Sequence, residues 1–464
     1  MATGDSGSPR EGRDHAHSAW RAFSVRFRRS IHVLRGMEPP RMVLLGYLSY
    51  VVVGWLLLCL PFAHRAGNAL DHLFTATSAA STTGLATVGT PDGYTLFGQI
   101  IILVLIQLGG IGYMTLGSFF VLSRREPLST VRQNVGQAVF SLPESFRIDK
   151  FIRSVIRFTI AIETVGATAL FFLFRDAGVE APLWQAIFHA VSAFCTAGFS
   201  LNPDSLVRFA GHTGVNLTIA ALAFLGAVGF IVFVDLTRMI LGKVRKVTLT
   251  TKIILWSTFW MTVAGTLIVF VSEPALRDLP AHRRLLASFF QAMTAQTTVG
   301  FNTIDIAGIS KASVLLLIVL MVVGSSPSGT GGGIKCTTAT AILGVMRSAA
   351  RGESGVRFWG RSIPADRVQA AVAVLGFYIL TLLAGTWLLE LTESTPFDQN
   401  FFEVASAVGT VGLSMGITPG LSALGKLVVI VLMFSGRVGP MTLGTALFTR
   451  RTGEPPVRDS DLAV

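Results

Sequence analysis

Long apolar stretches alternate with shorter polar stretches along most of the chain. Eight of the apolar stretches are long enough to cross about 30 Å of hydrocarbon as a helix, at about 1.5 Å per residue. They cover residues 42–62, 96–122, 151–174, 215–241, 253–271, 312–346, 368–391 and 424–448. The pattern therefore predicts an all-α integral membrane protein with eight transmembrane helices.

Four of the gaps between these stretches share one motif. They read LFTATSAASTTGL, IFHAVSAFCTAGF, FFQAMTAQTTVGF and FFEVASAVGTVGL, and each fits F-x-x-x-[ST]-A-x-x-T-x-G-[LF]. The Phe, the Ser or Thr that follows it by one helical turn, and the Thr one turn later lie on one helical face. We therefore predict in each gap a short re-entrant helix that ends at the T-x-G tripeptide, with about two to three turns, too few to cross the membrane.

The recurrence of this motif divides the chain into four repeats of span, re-entrant helix with loop, and span, which predicts fourfold pseudosymmetry. The predicted units are a basic N-terminal segment (1–40), repeat 1 (41–122), a cytoplasmic loop (123–150), repeat 2 (151–242), repeat 3 with a broken last helix (252–346), a cytoplasmic loop (347–366), repeat 4 (367–449) and a cytoplasmic tail (450–464).

Composition and charge agree with a membrane location. Hydrophobic residues make up 51% of the chain and charged residues 14%. The formal net charge of +12 comes from Lys and Arg residues that precede the first span and fill every second gap, so we expect both termini in the cytoplasm of a multi-pass cell-membrane protein. This distribution suits an acidic partner surface or anionic lipid equally well and argues against nucleic acid as the partner.

Non-helical backbone at membrane depth is tolerated only where protein or a water-filled cavity satisfies its polar groups. Four such segments can meet this requirement by surrounding one axis, where their carbonyl oxygens replace the water shell of a cation. The predicted filter residues are Thr82, Thr83, Gly84, Leu85, Thr196, Ala197, Gly198, Phe199, Thr298, Val299, Gly300, Phe301, Thr410, Val411, Gly412 and Leu413.

Two of these segments, TVGF at 298–301 and TVGL at 410–413, resemble the T-V-G-Y-G filter of potassium channels cut short after its first glycine. The fourfold, truncated form is similar to that of the Trk/Ktr/HKT superfamily of potassium transporters, and eight spans without a further helix pair make it most similar to the Ktr-type pore-forming subunit. The resemblance implies potassium uptake, and Gly84, where sodium-preferring plant relatives have serine, implies preference for potassium.

The sixth apolar stretch contains GSSPSGTGGGIK at 324–335, which cannot remain a regular helix. A phosphate-binding loop is one interpretation, although G-x-x-x-x-G-K-[ST] is not satisfied, and a kink supported by neighbouring helices is another. The resemblance implies a gate below the filter, formed by an intramembrane loop and an arginine. The corresponding residues are Gly324, Ser328, Gly329, Thr330, Gly331, Gly332, Gly333 and Arg437.

Arg437 also stands out without the resemblance, since it is the only basic residue well inside the last apolar stretch and should face water or polar partners. Glu163 is an acidic residue in the third stretch, for which helix packing and ion handling both remain open. For His189, within the second motif, we expect a hydrogen-bonding role.

Two other classes of function are compatible with parts of the sequence. A secondary transporter with alternating access also has repeats and broken helices. An intramembrane serine hydrolase could use Ser328, but no histidine in a neighbouring span could act as its base.

The resemblance also implies partners, namely a second copy in a homodimer and a cytoplasmic ring of nucleotide-binding regulatory subunits. Potassium would be the transported ion, sodium could be coupled to it, and we expect no organic cofactor.

Overall fold

A computed structural model describes residues 39–122, 148–353, 355–439 and 442–443. The predicted cytoplasmic tail (450–464), nearly all of the N-terminal segment (1–40) and most of the cytoplasmic loop (123–150) lie outside the described residues. These three domain assignments therefore remain predictions.

The described chain is mostly helical. Its α-helices are α1 (Pro39–Leu58), α2 (Ala69–Ala80), α3 (Thr90–Gly93), α4 (Leu96–Leu122), α5 (Ile148–Asp176), α6 (Pro182–Phe194), α7 (Thr213–Val228), α8 (Phe230–Ile240), α9 (Leu249–Ser272), α10 (Ala281–Thr297), α11 (Lys311–Val322), α12 (Cys336–Ala350), α13 (Ala365–Thr392), α14 (Phe397–Gly409) and α15 (Ala423–Val438). Short 3₁₀ turns occur at Val207–Phe209, Pro274–Leu276 and Thr418–Gly420.

A small antiparallel hairpin departs from the predicted all-α class. Its strands, β1 (Arg357–Phe358) and β2 (Arg361–Ser362), lie in the gap between α12 and α13. The turn has positive φ at Trp359 (46°) and Gly360 (75°). The class is therefore mostly helical rather than all-α.

Helices α2, α6, α10 and α14 carry the repeated motif, and we call them the motif helices. They contain 12, 13, 17 and 13 residues, so each is longer than the predicted two to three turns. The capping box of α2, in which Asn68 and Asp71 each bond the other's backbone, begins that helix earlier than the hydrophobic pattern indicated.

Three helical segments within the described residues are both long and apolar enough to span a membrane: Ser154–Asp176, Leu249–Ser272 and Ala365–Thr392. Helices α7 and α8 together form a fourth candidate, but they are bent by 91° at Gly229. The continuous helix predicted over 215–241 is therefore wrong. The count of eight spans remains a prediction.

The bend has a local cause in Gly229, whose φ of +85° is unfavourable for residues with a Cβ. A methyl group at this position would also lie 2.7 Å from the carbonyl oxygen of Pro327. The α7–α8 break is thus packed directly against the broken region after α11.

The motif helices are linked by a closed cycle of packing contacts. Helix α4 packs on α6, α7 on α10, α11 on α14, and α15 returns to pack on α2. In each case the helix after one T-x-G segment contacts the next motif helix. This order brings the C-terminal ends of the four motif helices together.

Candidate functional site

The threonine of each T-x-G segment follows the end of its motif helix by one or two residues and adopts the left-handed conformation. The φ angles are +53° at Thr82, +51° at Thr196, +59° at Thr298 and +47° at Thr410. This region is unfavourable for a β-branched residue, so the surrounding structure must hold each threonine there. All four threonines are completely buried.

The next residue of each segment turns its N–H back to the motif helix. The amides of Thr83, Ala197, Val299 and Val411 donate to the carbonyl oxygens of Ser78, Ser192, Thr294 and Ser406, over 2.8, 2.8, 3.1 and 2.9 Å. These bonds satisfy the last carbonyls of the helices.

The four glycines of the T-x-G segments approach one another in a closed ring. A methyl group on Gly84, Gly198, Gly300 or Gly412 would lie 2.4, 2.5, 2.0 or 2.2 Å from the carbonyl oxygen of Ala197, Val299, Val411 or Thr83, respectively. Each glycine thus meets the middle residue of the next segment, and the fourth meets the first. We call this arrangement the T-x-G ring.

Glycine is required in the ring for two reasons. Its four glycines have φ between +66° and +96°, where a side chain is strained. A Cβ would also collide with a carbonyl oxygen of the neighbouring segment, which is backbone and cannot rotate away.

The Ser of the motif lies on the motif helix and bonds the backbone at the filter glycine or the residue after it. Sequence reasoning missed this role. The amides of Gly84 and Gly412 donate to the Oγ atoms of Ser78 and Ser406, each over 3.0 Å. In the second repeat, Ser192 Oγ instead donates to the carbonyl of Phe199 over 2.8 Å. The recurrent Ser or Thr of the motif was the available signal.

The glycine-rich segment, residues 324–335, lies directly against the ring threonines. Thr196 Oγ1 donates to Thr330 Oγ1 over 3.2 Å, and the amide of Gly332 donates to Thr298 Oγ1 over 3.0 Å. A methyl on Gly332 would lie 2.2 Å from Thr410 Oγ1. The segment therefore contacts three of the four ring threonines.

The same segment is anchored to the broken end of α7. The amides of Ser326 and Thr330 donate to the carbonyls of Ala227 and Gly226, over 3.2 and 3.1 Å. A methyl on Gly329 would lie 2.3 Å from the carbonyl oxygen of Ala227. These contacts explain why the run needs small residues.

The remaining predicted gate residues shape the segment itself. The beginning and the end of the segment approach each other closely at Gly324 and Gly332. A methyl group on Gly324 would lie 2.4 Å from the Gly332 carbonyl oxygen. Ser328 and Gly333 take positive φ of 59° and 71°. Gly331 leaves no room for a side chain, since a methyl there would lie 2.5 Å from Thr298 Oγ1.

Arg437 contacts the fourth ring threonine. Its Nη1 donates to Thr82 Oγ1 over 2.9 Å and to the carbonyl of Thr330, while its Nη2 donates to the carbonyls of Gly109 and Gly110. Only 9% of the residue is exposed. Among the described ion pairs none involves Arg437, so dipoles hold its charge without cancelling it.

Lys335 is a second cation of this region, which the sequence analysis missed. Its Nζ donates to the carbonyl of Gly331 over 2.6 Å. The available indication in the sequence was the position of Lys335 at the end of the glycine-rich segment. Lys335 and Arg437 are thus two basic side chains that donate to backbone carbonyls of the glycine-rich segment.

Glu163 and His189 lie outside the ring. Glu163 Oε2 accepts from Gln107 Nε2 over 3.1 Å, which joins α5 to α4 and agrees with a role in helix packing. His189 bonds the carbonyl of Gln185 and, over 3.0 Å, Ser200 Oγ, as expected of a hydrogen-bonding residue.

The chemistry available at the ring is that of neutral oxygen ligands. Within the described ranges, no group of three or more His, Cys, Asp or Glu side chains could hold a metal ion. Backbone carbonyl and hydroxyl oxygens suit a weakly held cation better than a tightly bound transition metal.

Comparison with known proteins identifies the family of the chain. The family model described as TrkH, cation transport protein, matches residues 56–450. The Ktr system potassium uptake protein B of Bacillus subtilis is 35% identical over 87% of this chain and 92% of its own length. The potassium/sodium uptake protein NtpJ of Enterococcus hirae is 34% identical over 90% of this chain and 94% of its own.

A solved structure shares the fold. The crystal structure of the potassium transporter TrkH from Vibrio parahaemolyticus superposes with a TM-score of 0.71 at 19% identity, and covers 88% of this chain and 84% of that one. Like its relatives, the chain is a multi-pass membrane transport protein and not an enzyme. The predicted resemblance is confirmed: the chain belongs to the TrkH family of cation transport proteins.

Proposed function

We propose that the chain takes up potassium through a single pore whose selectivity filter is the T-x-G ring. The observation that carries the proposal is the closed contact of four glycines, each against the carbonyl of the next segment. Carbonyl oxygens arranged around one axis can replace the hydration shell of a potassium ion. The uptake of potassium named for two relatives supports the choice of ion.

The proposal includes the architecture that the repeats predict. Eight spans and four re-entrant helices would surround the pore with fourfold pseudosymmetry, in repeats bounded at 41–122, 151–242, 252–346 and 367–449. The cyclic packing of the motif helices supports this arrangement. The last carbonyls of these helices would add partial negative charge around the axis.

The glycine-rich segment and Arg437 would form the gate. Their contacts with all four ring threonines support this assignment, because an ion leaving the ring on that side must pass them. We also propose that both chain termini lie in the cytoplasm, because Lys and Arg residues fill every second gap between the spans.

Assembly follows from the same family relation. We infer a homodimer with one pore in each subunit, bound to cytoplasmic nucleotide-binding regulatory subunits and surrounded by membrane lipids. The basic residues of the cytoplasmic loops 123–150 and 347–366 would face an acidic partner surface or anionic headgroups.

A carrier with alternating access is the second candidate. The break after α11 and the 91° bend between α7 and α8 favour it, because discontinuous helices are typical of such carriers. The two candidates differ in whether potassium movement requires a second ion, such as sodium.

The test is potassium uptake by cells that lack their own potassium systems. Cells that express the chain should grow at low potassium and accumulate the ion, and uptake would be measured with and without sodium. Absence of uptake from cells whose membranes contain the protein would contradict the proposed function. An absolute requirement for sodium would favour the carrier.

A further inference from the structure

The residue directly after the motif phenylalanine is polar in all four repeats. It lies on the motif helix, behind the T-x-G ring, and its side chain is at most 1% exposed. The four residues are Thr75, His189, Gln291 and Glu403. Four buried polar groups at one position need hydrogen-bond partners.

In three repeats the partner is a hydroxyl just beyond the filter glycine. His189 Nε2 bonds Ser200 Oγ over 3.0 Å, and Gln291 Nε2 donates to Thr303 Oγ1 over 3.2 Å. In the fourth repeat, Ser414 Oγ donates to Glu403 Oε2 over 2.7 Å. These side chains therefore connect three of the four motif helices to the segments that leave the ring.

Glu403 differs from the others because it is an acid. Its second oxygen accepts from Thr418 Oγ1, so both carboxylate oxygens face hydroxyl donors. Within the described residues, no Lys, Arg or His nitrogen lies within 4.0 Å of it. A buried carboxylate without a cation is unfavourable unless it is protonated or another positive charge compensates it.

The filter supplies a place for that charge. Ser414 follows Gly412 by two residues, which span at most about 7 Å. Since Ser414 Oγ lies about 2 Å from its own Cα and the carboxylate lies 2.7 Å from that Oγ, the carboxylate is within about 12 Å of the Gly412 Cα.

We propose that Glu403 is a positioning and affinity-determining residue, whose carboxylate is a fixed negative charge balanced by the potassium ion in the T-x-G ring. This inference rests on the proposed filter. At about 12 Å and an effective dielectric constant of about 20, loss of one unit charge weakens cation binding about tenfold. The hydroxyl bonds to Ser414 and Thr418 hold the outer part of the fourth segment in place.

The test uses the purified full-length protein and its thermal unfolding midpoint at increasing potassium concentration, with choline to keep ionic strength constant. Bound potassium stabilises the folded state by mass action, so the midpoint rises with occupancy. Glu403→Gln should raise the half-saturating potassium concentration about tenfold. Glu180→Gln, which removes an exposed acid, is the matched control and should leave the concentration unchanged.

A charge transfer between repeats separates electrostatics from packing. Gln291→Glu places a carboxylate at the equivalent position of the third repeat, where it can still bond Thr303. It should lower the half-saturating potassium concentration about tenfold. The double variant Gln291→Glu/Glu403→Gln keeps one carboxylate and should return to the wild-type value.

The outcomes distinguish the inference from the proposed function. If the wild-type midpoint does not respond to potassium, both are overturned. If it responds, and Glu403→Gln binds potassium as the wild type does, only the role of Glu403 is overturned. If Glu403→Gln does not fold, Gln291→Glu decides alone, and an unchanged half-saturation contradicts the role of charge at this position.

Discussion

Arg437 is the residue in which electrostatics and packing can be separated most cleanly. Its guanidinium bonds a ring threonine, a carbonyl of the glycine-rich segment and two carbonyls of α4. At an assumed 8 Å, with an effective dielectric constant of about 20, its charge raises the energy of a passing potassium ion by about 2 kcal/mol. That corresponds to about a thirtyfold factor in local occupancy.

Replacing Arg437 should therefore change flux according to charge. Arg437→Ala should increase potassium flux, with about thirtyfold as the upper bound, whereas Arg437→Lys should keep much of the barrier. Flux would be measured for both variants and the parent at matched protein density in liposomes. Equal behaviour of the Ala and Lys variants would mean that Arg437 holds helices together without acting as the barrier.

At the scale of single residues, the sequence predicted which residues form the site better than it predicted the hydrogen bonds that they make. The T-x-G positions and Arg437 could be selected because a fourfold motif, and a single basic residue well inside the last apolar stretch, are visible in one chain. The bonds of Ser78 and Ser406 to glycine amides could not, because a Ser on a helix also bonds its own backbone.

The glycine-rich segment is the element whose form depends most on its neighbours. Its sequence predicts a broken helix, but not which surfaces the break touches. The structure also breaks the α7–α8 helix, where one glycine is enough because it packs on the segment. A single glycine in an apolar stretch is an ambiguous signal, which explains why this bend was missed.

Displacement of this segment should open the pore. Deletion of residues 328–332 should increase potassium flux several-fold. Gly332→Ala should have the same direction of effect, because its methyl group would lie 2.2 Å from Thr410 Oγ1 and 2.4 Å from the carbonyl oxygen of Gly409. Gly355→Ala, where no atom lies within 4 Å, is the matched control.

Liposome flux at matched protein density would again be the measurement. If both variants are folded and conduct no faster than the parent, the segment is a structural kink. Faster conduction by the deletion alone would mean that a methyl group is too small to displace it.

At the scale of the whole molecule, a buried ion pair joins the first and last parts of the chain. Lys426 of α15 lies 2.7 Å from Asp71 of α2, with side chains 14% and 8% exposed. The corresponding contact between α11 and α14 is the pair Lys311–Asp398, at 3.7 Å, with side chains 91% and 37% exposed. The four sequence repeats predict four units in a ring, but long-range pairs of this kind are not visible in a single sequence.

Loss of the buried pair should destabilise the closed arrangement. Lys426→Met leaves a buried carboxylate unpaired and should cost about 3 kcal/mol, seen as a lower unfolding midpoint in detergent. Lys311→Met should have little effect because the pair it breaks is exposed. The double variant Asp71→Asn/Lys426→Met should recover part of the loss, and equal midpoints for the two single Lys variants would contradict the role of Asp71–Lys426 in closure.

The central claim is that the T-x-G ring selects potassium. Its most direct test is to measure potassium flux and sodium flux in liposomes for three purified proteins: the parent, Gly300→Ser and Gly178→Ser. The parent should pass potassium in preference to sodium. Gly300→Ser should lose the preference or the flux, since its Cβ would lie 2.0 Å from the carbonyl oxygen of Val411, whereas Gly178→Ser, with φ of +69° and no atom within 4 Å, should behave as the parent. Unchanged potassium selectivity and flux in folded Gly300→Ser would contradict the claim.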